Sequence, residues 1–153
     1  RMAKPDATKE EMEAVLQKVN LLGFLQTQNG LQTELLEKAG NLSGGQCQRL
    51  VIARALLRSD SAVYIFDEAA SNIDVESEEL IMNVIHELAK TKTVLLISHR
   101  LANVVQSDQI YFLKNGTICE RGTHAELMEQ NGAYRHLYDS QMVLENYGKQ
   151  GNA

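Results

Sequence analysis

The sequence has few cysteines, few aromatic residues and no block of basic residues, and each shortage excludes a class of protein. Two cysteines in 153 residues are too few for a disulfide framework, and Cys47 and Cys119 lack the spacing of metal ligands. The net charge is −5 and aromatic residues make up 5% of the chain, which argues against a dedicated nucleic-acid surface. We therefore expect a reduced setting and no nucleic-acid partner.

The sequence also lacks a long apolar run. No stretch approaches the roughly 20 apolar residues that a membrane-spanning helix needs, and the N-terminus does not have the pattern of a signal peptide. Apolar residues make up 44% of the chain and charged residues 23%, as in ordinary globular proteins. We expect the chain itself to be soluble and to form one domain at most, or part of one.

Apolar runs and their spacing predict an α/β fold with a mostly parallel sheet. Two short apolar runs have the character of buried parallel strands, Ala62–Phe66 and Thr93–Ile97. A helix with one apolar stripe is predicted between them, and Asp74 or Ser77 is its N-cap. Farther along the chain, Lys114-Asn115-Gly116 predicts the turn of a β-hairpin.

Further helices are predicted on both sides of these strands. Three polar residues precede helical patterns, and the first and last begin capping boxes: Thr8, Ser43 and Thr123. The predicted helical segments are short broken pieces over 21–36, a helix from 44 to about 58, and a last helix from about 124 to 147 with a break near Gly132. We expect the tail after the last helix, residues 148–153, to be loose.

Polar residues follow both predicted strands. Asp67 and Glu68 follow the first strand, and Ser98 and His99 follow the second. Ligands of open α/β sheets bind at the carboxyl ends of the strands. One carboxylate of such a pair can hold Mg²⁺, and the other can orient or deprotonate an attacking water. The alternative is that the acidic pair only marks the end of a strand and that His99 is a surface residue of a loop.

Two adjacent glycines begin the helix predicted after Ser43, within the stretch Leu42-Ser43-Gly44-Gly45-Gln46. Glycines are a poor start for a packed helix unless something approaches the backbone closely. The free N–H groups of a first helical turn attract anions, and Ser43 adds a hydroxyl donor. We therefore expect a nucleotide phosphate at this point. A plain Ser43 N-cap followed by a flexible turn is the alternative.

Taken together and in this order, these motifs resemble the nucleotide-binding domain of ABC ATPases, over nearly the whole chain. The resemblance implies a P-loop NTPase-like sheet of the RecA type together with part of the family's helical subdomain. Four motifs of the family match segments of this chain: the signature motif at Leu42–Gln46, the Walker B strand at Ala62–Asp67, the D-loop at Ser71–Asp74 and the switch histidine at His99. Cys47 and Ala70 depart from residues that are frequent in the family, Arg and Thr respectively, without removing a group to which a role is assigned.

The resemblance also implies a role for each site residue, with ATP and Mg²⁺ as cofactors. Asp67 is the Mg²⁺ ligand, Glu68 is the catalytic carboxylate and His99 assists catalysis at the γ-phosphate. The remaining residues implied to contact nucleotide are Ser43, Gly44, Gly45, Gln46 and Asp74. In this family two nucleotide-binding domains enclose ATP head to tail, so the implied partner is a second such domain, either identical or homologous.

The stretch Asn115–Leu127 resembles the exporter-type members of the family. In those proteins the ATPase domain is usually fused behind a membrane domain on one polypeptide. The resemblance therefore implies a transmembrane permease domain, fused upstream, and a position at the cytoplasmic face of the cell membrane. It also implies that ATP hydrolysis by the complete protein powers membrane export.

The phosphate loop of the family, G-x-x-x-x-G-K-[ST], is missing from the sequence. Gly40 and Gly45 have the spacing of its glycines, but Gln46-Cys47 follow instead of Lys and Ser or Thr. This Walker A loop and its strand are thus absent, which predicts a single incomplete domain, the C-terminal part of a nucleotide-binding domain. Residues 1–41 are its part of the helical subdomain, and 42–153 are part of the ATPase core.

We expect such a fragment to be inactive alone. With strands left unpaired, it is also expected to be marginally stable or oligomeric. Two other functions remain open. The chain could be a non-catalytic module that supplies only Ser43–Gln46 to a partner's ATP, or an ABC ATPase that acts on DNA ends or chromosomes. Members of the second class insert a long coiled coil, whereas residues 1–40 lack sustained heptads and the chain lacks a basic surface.

Overall fold

The computed structural model describes residues 3–71 and 73–150, and it divides into two compact units at the junction of Ile97 and Ser98. The first unit contains, in chain order, α1 (Lys9–Lys18), α2 (Leu22–Gln26), two short 3₁₀ turns (Gly30–Gln32 and Glu37–Ala39), α3 (Gly44–Leu56), β1 (Val63–Asp67), α4 (Val75–Ala89) and β2 (Thr93–Ile97). The second contains a 3₁₀ turn (Leu101–Val104), β3 (Ile110–Lys114), β4 (Thr117–Gly122), α5 (His124–Gln130) and α6 (Ala133–Gln150). The predicted α/β class is confirmed.

Strands β1 and β2 form a parallel pair in the first unit. Val63 is opposite Thr93 and Asp67 is opposite Ile97, so the carboxyl ends of the two strands are level with each other. The bounds of β2 are those predicted, and β1 is displaced by one residue from Ala62–Phe66. This register places the acidic pair, Asp67 at the end of β1 and Glu68 directly after it, at the edge where β2 ends.

The prediction that both strands are fully buried is wrong for one face of the pair. Tyr64 and Phe66 of β1 are 7% and 6% exposed, whereas the alternating residues on the other face are open to solvent. This outer face consists of Val63, Ile65, Leu95 and Ile97, which are 55%, 66%, 50% and 46% exposed. Apolar residues on both faces are typical of a strand that is covered on both sides. Here only the face that carries Tyr64 and Phe66 is covered.

The core of the first unit lies between the inner face of β1 and the helices. Its most completely buried members are spread over the unit, at 2% exposure or less: Val19, Leu21, Ile52, Ala53, Ile81 and Ile85. Burial of one such large aliphatic side chain stabilises the fold by about 1.5–3 kcal/mol. The core therefore holds α3 and α4 together, and these are the helices that begin at Ser43 and Asp74.

Strands β3 and β4 form an antiparallel hairpin in the second unit, as the turn residues predict. Asn115 and Gly116 have φ angles of +50° and +77°, the left-handed pair that a tight hairpin turn of this hand requires. The described strands thus form one parallel and one antiparallel pair, each a separate two-stranded sheet.

Helices α5 and α6 confirm the predicted break near Gly132. Asn131 ends α5 in a left-handed conformation with φ of +53°, and α6 begins at Ala133. The expectation of a loose tail is wrong for residues 148–150, because α6 continues to Gln150; residues 151–153 lie outside the described residues. Over the described ranges of the chain, none of the helices has the length and apolar character to cross a membrane.

Candidate functional site

The first turn of α3 carries the predicted phosphate-binding residues. Ser43 is the N-cap, and its hydroxyl accepts a hydrogen bond from the backbone N–H of Gln46 at 3.2 Å. The Gln46 side chain accepts one in return from the N–H of Ser43 at 2.9 Å. Ser43 and Gly44 are exposed. This reciprocal cap fixes the helix start, and it leaves the positive end of the helix dipole open to an anion.

The two glycines of this turn have different surroundings. A Cβ atom added at Gly44 would meet no heavy atom within 4 Å. A Cβ added at Gly45 would lie 2.7 Å from the Cβ of Ser77 and 3.0 Å from Asp74 Oδ2, and closer still to the Ser77 hydroxyl. The sequence predicted that something approaches this backbone closely. At Gly45 the close neighbour is the first turn of α4, whereas Gly44 faces open space.

The acidic pair lies where β1 ends, and both of its residues are exposed. The N–H of Glu68 donates to the carbonyl of Ile97 at 2.9 Å, which extends the ladder between β1 and β2 by one bond. Glu68 itself has φ of +48°, in the left-handed region that residues other than glycine and asparagine rarely adopt. Such conformations cluster at functional sites, because strain persists only where the surrounding structure imposes it.

Asp74 begins α4 as its N-cap, which decides between the two predicted caps. Its carboxylate accepts a hydrogen bond from the N–H of Ser77 at 2.8 Å. Hydrogen bonds from the backbone and the hydroxyl of Ser77, with a contribution from the charge of Arg49, lower the pKa of this carboxyl. Asp74 is therefore an acceptor held in its charged form. Asn72, in the predicted D-loop, lies outside the described residues.

Arg49 braces the start of α3, and sequence reasoning missed it. Its Nη1 donates to the carbonyl of Asn20 at 3.0 Å, just beyond α1, and its Nε donates to the carbonyl of Gly45 at 3.4 Å. Asn20 has φ of +51°, which turns the chain after α1. The available signal was that Arg49 lies four residues after Gly45, one helical turn farther along.

His99 lies in the second unit and is exposed. The side-chain amide of Gln141 on α6 donates to the His99 carbonyl at 2.8 Å and accepts from the N–H of Leu101 at 2.9 Å. One turn farther along α6, Glu145 pairs with Arg100 at 2.8 Å. Gln141 and Glu145 thus fix the backbone around the histidine. Sequence reasoning missed both, although their spacing of four residues places them on one helix face.

The first unit brings the predicted residues together in two places. The start of α3, with Ser43–Gln46, packs on the start of α4, with Asp74, and the end of β1 presents Asp67 and Glu68. Among the described residues, no group of three or more histidine, cysteine or carboxylate side chains could hold a metal ion. A single carboxylate, such as that of Asp67, would fit Mg²⁺, since that ion keeps several waters and takes phosphate oxygens as its other ligands.

Comparison with known proteins gives one consistent result. A protein-family model described as "ABC transporter" matches residues 2–71. An uncharacterized ABC transporter ATP-binding protein of Haemophilus influenzae is 51% identical over 152 residues, which are 99% of this chain and 27% of that protein. The chain belongs to the ABC transporter family.

Two further ABC proteins extend the comparison. An ATP-dependent lipid A-core flippase of Mannheimia succiniciproducens is 46% identical over 140 residues, 91% of this chain and 24% of the flippase. The structure of a bacterial Atm1-family ABC exporter with ATP bound matches 92% of this chain and 24% of the exporter, with a TM-score of 0.82 and 30% identity. The chain therefore spans about a quarter of the length of the ABC proteins it matches.

Proposed function

We propose that this chain is the C-terminal part of an ABC nucleotide-binding domain, in which it helps to hydrolyse ATP with Mg²⁺. The observation that carries the proposal is the left-handed conformation of Glu68, directly after Asp67 at the end of β1. A strained, exposed carboxylate at the carboxyl end of a parallel strand is suited to a chemical role and has no evident benefit for stability.

The start of α3 is the proposed contact with the γ-phosphate. Ser43 supplies a hydroxyl, Gly44 and Gly45 supply backbone N–H groups, and Gln46 locks the turn through its bond to Ser43. The ATP that these residues contact is proposed to be held mainly by a second nucleotide-binding domain, head to tail with this one, which is the arrangement that the resemblance to ABC ATPases implies.

The remaining site residues act by position and charge, as is usual in phosphoryl transfer. Asp67 is the proposed Mg²⁺ ligand, through water or directly; the ion, when bound, would offset charge on the phosphate oxygens. Glu68 orients the attacking water and His99 donates a hydrogen bond to the γ-phosphate. Asp74, held ionised as the N-cap of α4, is proposed to contact the nucleotide.

The similarity to an exporter and to flippases supports a role for ATP hydrolysis in membrane export. We propose that the complete protein includes a transmembrane permease domain and lies at the cytoplasmic face of the cell membrane, where closure of the paired domains drives export. The fragment alone is proposed to be inactive, because its site needs groups from the second domain.

The test is Glu68→Gln in the complete protein. The amide keeps the size of the side chain but cannot accept a proton from water, so we expect ATP turnover to fall by about 10²–10⁴-fold while the protein accumulates as a closed, ATP-bound dimer. Glu79→Gln is the matched control, since Glu79 is also exposed and lies on the solvent side of α4, and its turnover should match the unsubstituted protein. Unchanged turnover in Glu68→Gln would eliminate the proposed role of Glu68.

A second candidate is a non-catalytic module that lends only Ser43–Gln46 to a partner's ATP. The start of α3 favours it, because Ser43 and Gln46 cap each other and need no group from a partner to hold this turn. Steady turnover by a complex in which only the partner has a phosphate loop, and which is insensitive to Glu68→Gln in this chain, would support this second function.

A further inference from the structure

The first turns of α3 and α4 lie against each other at Gly45 and Ser77. Gly45 is buried in α3, and Ser77, on the first turn of α4, is 5% exposed. A side chain at position 45 would overlap the hydroxyl and the Cβ of Ser77. Rotation of the Ser77 side chain would not relieve the overlap with its Cβ, because the backbone of α4 sets the position of that atom. The absence of a side chain at Gly45 therefore allows the two helix starts to lie in direct contact.

Three hydrogen bonds hold the two helix starts at this junction. Ser77 donates its N–H to Asp74 at 2.8 Å, which fixes the start of α4. Arg49 donates to the carbonyl of Gly45 at 3.4 Å and to that of Asn20 at 3.0 Å, which fixes the start of α3. Gly44, one residue earlier, has nothing within 4 Å. The constraint is thus specific to position 45 and does not apply to the glycine pair as a whole.

We propose that Ser77 is a positioning residue for the signature motif. It sets the distance between the starts of α3 and α4, and so the direction in which Ser43, Gly44 and Gly45 present their donors to a phosphate. Because Asp74 is the N-cap of α4, a shift of α4 would move Asp74 and the signature turn together. This inference rests on the proposed function, since it assigns Ser77 to the same ATP site.

The experiment is a double-mutant cycle in the complete protein. Gly45→Ala should lower kcat for ATP about tenfold or more, with KM changed by less than about threefold, because the nucleotide is held mainly by the paired domain. Ser77→Gly removes both overlapping atoms and keeps the N–H that donates to Asp74. Added to Gly45→Ala, it should restore kcat to within about threefold of the Ser77→Gly single variant.

Two controls separate relief of the overlap between positions 45 and 77 from a change in helix propensity. Glu76→Gly puts a glycine into the same turn of α4, at an exposed position next to Ser77. It makes no room for the methyl group of Gly45→Ala, so it should not restore kcat. Gly44→Ala adds the same methyl group one residue away, into open space, and should leave the melting temperature unchanged or raised. Gly45→Ala should lower the melting temperature. If it prevents folding, the double variant is still expected to fold and turn over ATP.

Three results would overturn the inference. They are normal turnover in Gly45→Ala, a failure of Ser77→Gly to rescue beyond the effect of Glu76→Gly, and rescue of the melting temperature without rescue of kcat. The last would show that the contact is structural only. Failure of the proposed function is recognised separately, as absence of ATP turnover in the unsubstituted protein.

Discussion

The side-chain amide of Gln141 donates a hydrogen bond to the backbone carbonyl of His99 over 2.8 Å. The same amide accepts from the N–H of Leu101 at 2.9 Å, so one side chain of α6 spans the turn that carries the histidine. The Arg100–Glu145 pair holds the turn at a second point of the same helix. The backbone at His99 is therefore set by a helix that begins 34 residues later in the chain.

Removal of this clamp should reduce ATP turnover in the complete protein. Gln141→Ala takes away two hydrogen bonds, each with a net worth of about 0.5–1.5 kcal/mol, and we expect kcat to fall by at most about 5- to 150-fold if His99 acts on the phosphate. Gln141→Glu keeps the acceptor for Leu101 but loses the donor to His99, so its loss should be of the same order. The measurement is steady-state ATP hydrolysis.

Gln130→Ala is the control for Gln141, since Gln130 is an exposed glutamine on the neighbouring helix α5. Its kcat should equal that of the unsubstituted protein. Equal kcat values for the three variants, with all of them folded, would show that the position of the His99 backbone does not matter for turnover.

Ser43→Asp separates the capping role of Ser43 from its proposed role in phosphate binding. Aspartate is as good an N-cap as serine, so the free energy of unfolding should change by less than about 0.5 kcal/mol. Its negative charge, however, would meet the phosphate oxygens, and ATP turnover in the complete protein should fall about 10²-fold. Chemical unfolding and ATP hydrolysis together give the answer.

Ser43→Ala is the counterpart of that variant, because it loses the cap without adding charge. We expect it to lose about 1 kcal/mol of stability. If Ser43→Asp retained full activity, an anion would not bind beside Ser43.

Glu68 has a left-handed backbone conformation that lowers the stability of the fold, and its proposed function explains why this conformation is kept. Five non-glycine residues have positive φ within 3–71 and 73–150, and three of them are asparagines, which tolerate this conformation: Asn20, Asn115 and Asn131. Ala39 and Glu68 are the others. A left-handed residue with a Cβ costs about 1–2 kcal/mol relative to glycine. Glu68→Gly should therefore be about 1 kcal/mol more stable than Glu68→Ala, although both lack the carboxylate and should lack ATP turnover.

The difference in stability between Glu68→Gly and Glu68→Ala measures the cost of the left-handed backbone conformation, since each variant loses the same side-chain interactions. Asn131→Gly is the reference, because asparagine tolerates the left-handed conformation. We expect this substitution to raise the free energy of unfolding by no more than about a few tenths of a kcal/mol. If Glu68→Gly were no more stable than Glu68→Ala in chemical unfolding, the left-handed conformation would not be strained.

Local chemistry made most of the elements predictable from the sequence. The capping boxes at Thr8 and Thr123, the turn at Asn115 and the bounds of β2 depend on neighbouring residues only, and the structure confirms them. The N-cap of α4 left two choices, because Asp74 and Ser77 are both good caps and only the observed hydrogen bond distinguishes them.

Contacts between distant segments explain what the sequence did not reveal. Arg49 acts on Asn20 and Gln141 acts on His99, across 29 and 42 residues, and no local pattern encodes such pairs. Gly45 was predicted to have a close neighbour, but the identity of that neighbour, Ser77, depends on how α3 and α4 pack. The prediction that β1 is buried was wrong for its outer face for a related reason. An apolar run shows which side chains a strand can bury, but it does not show which segment covers them.

The outer face of the parallel pair predicts self-association of this chain when it is studied alone. Ile65 and Leu95 are opposite each other in the register, and both are at least half exposed, between Val63 and Ile97 on the same face. Each buried CH₂ group contributes about 0.8 kcal/mol, so coverage of this face by a second copy is favourable. We expect sedimentation velocity to show dimers or larger species whose fraction rises with protein concentration.

Ile65→Lys should shift this equilibrium towards monomer, because burial of a lysine on the face would be costly. Val75→Lys is a matched control: Val75 is 65% exposed and Ile65 is 66% exposed, but Val75 begins α4 and is not part of the face. It introduces the same charge and should leave the association unchanged. A chain that sediments as a monomer at all concentrations and melts cooperatively would contradict the prediction, and so would equal effects of the two substitutions. Selective loss of association in Ile65→Lys would assign the contact to the outer face of β1 and β2.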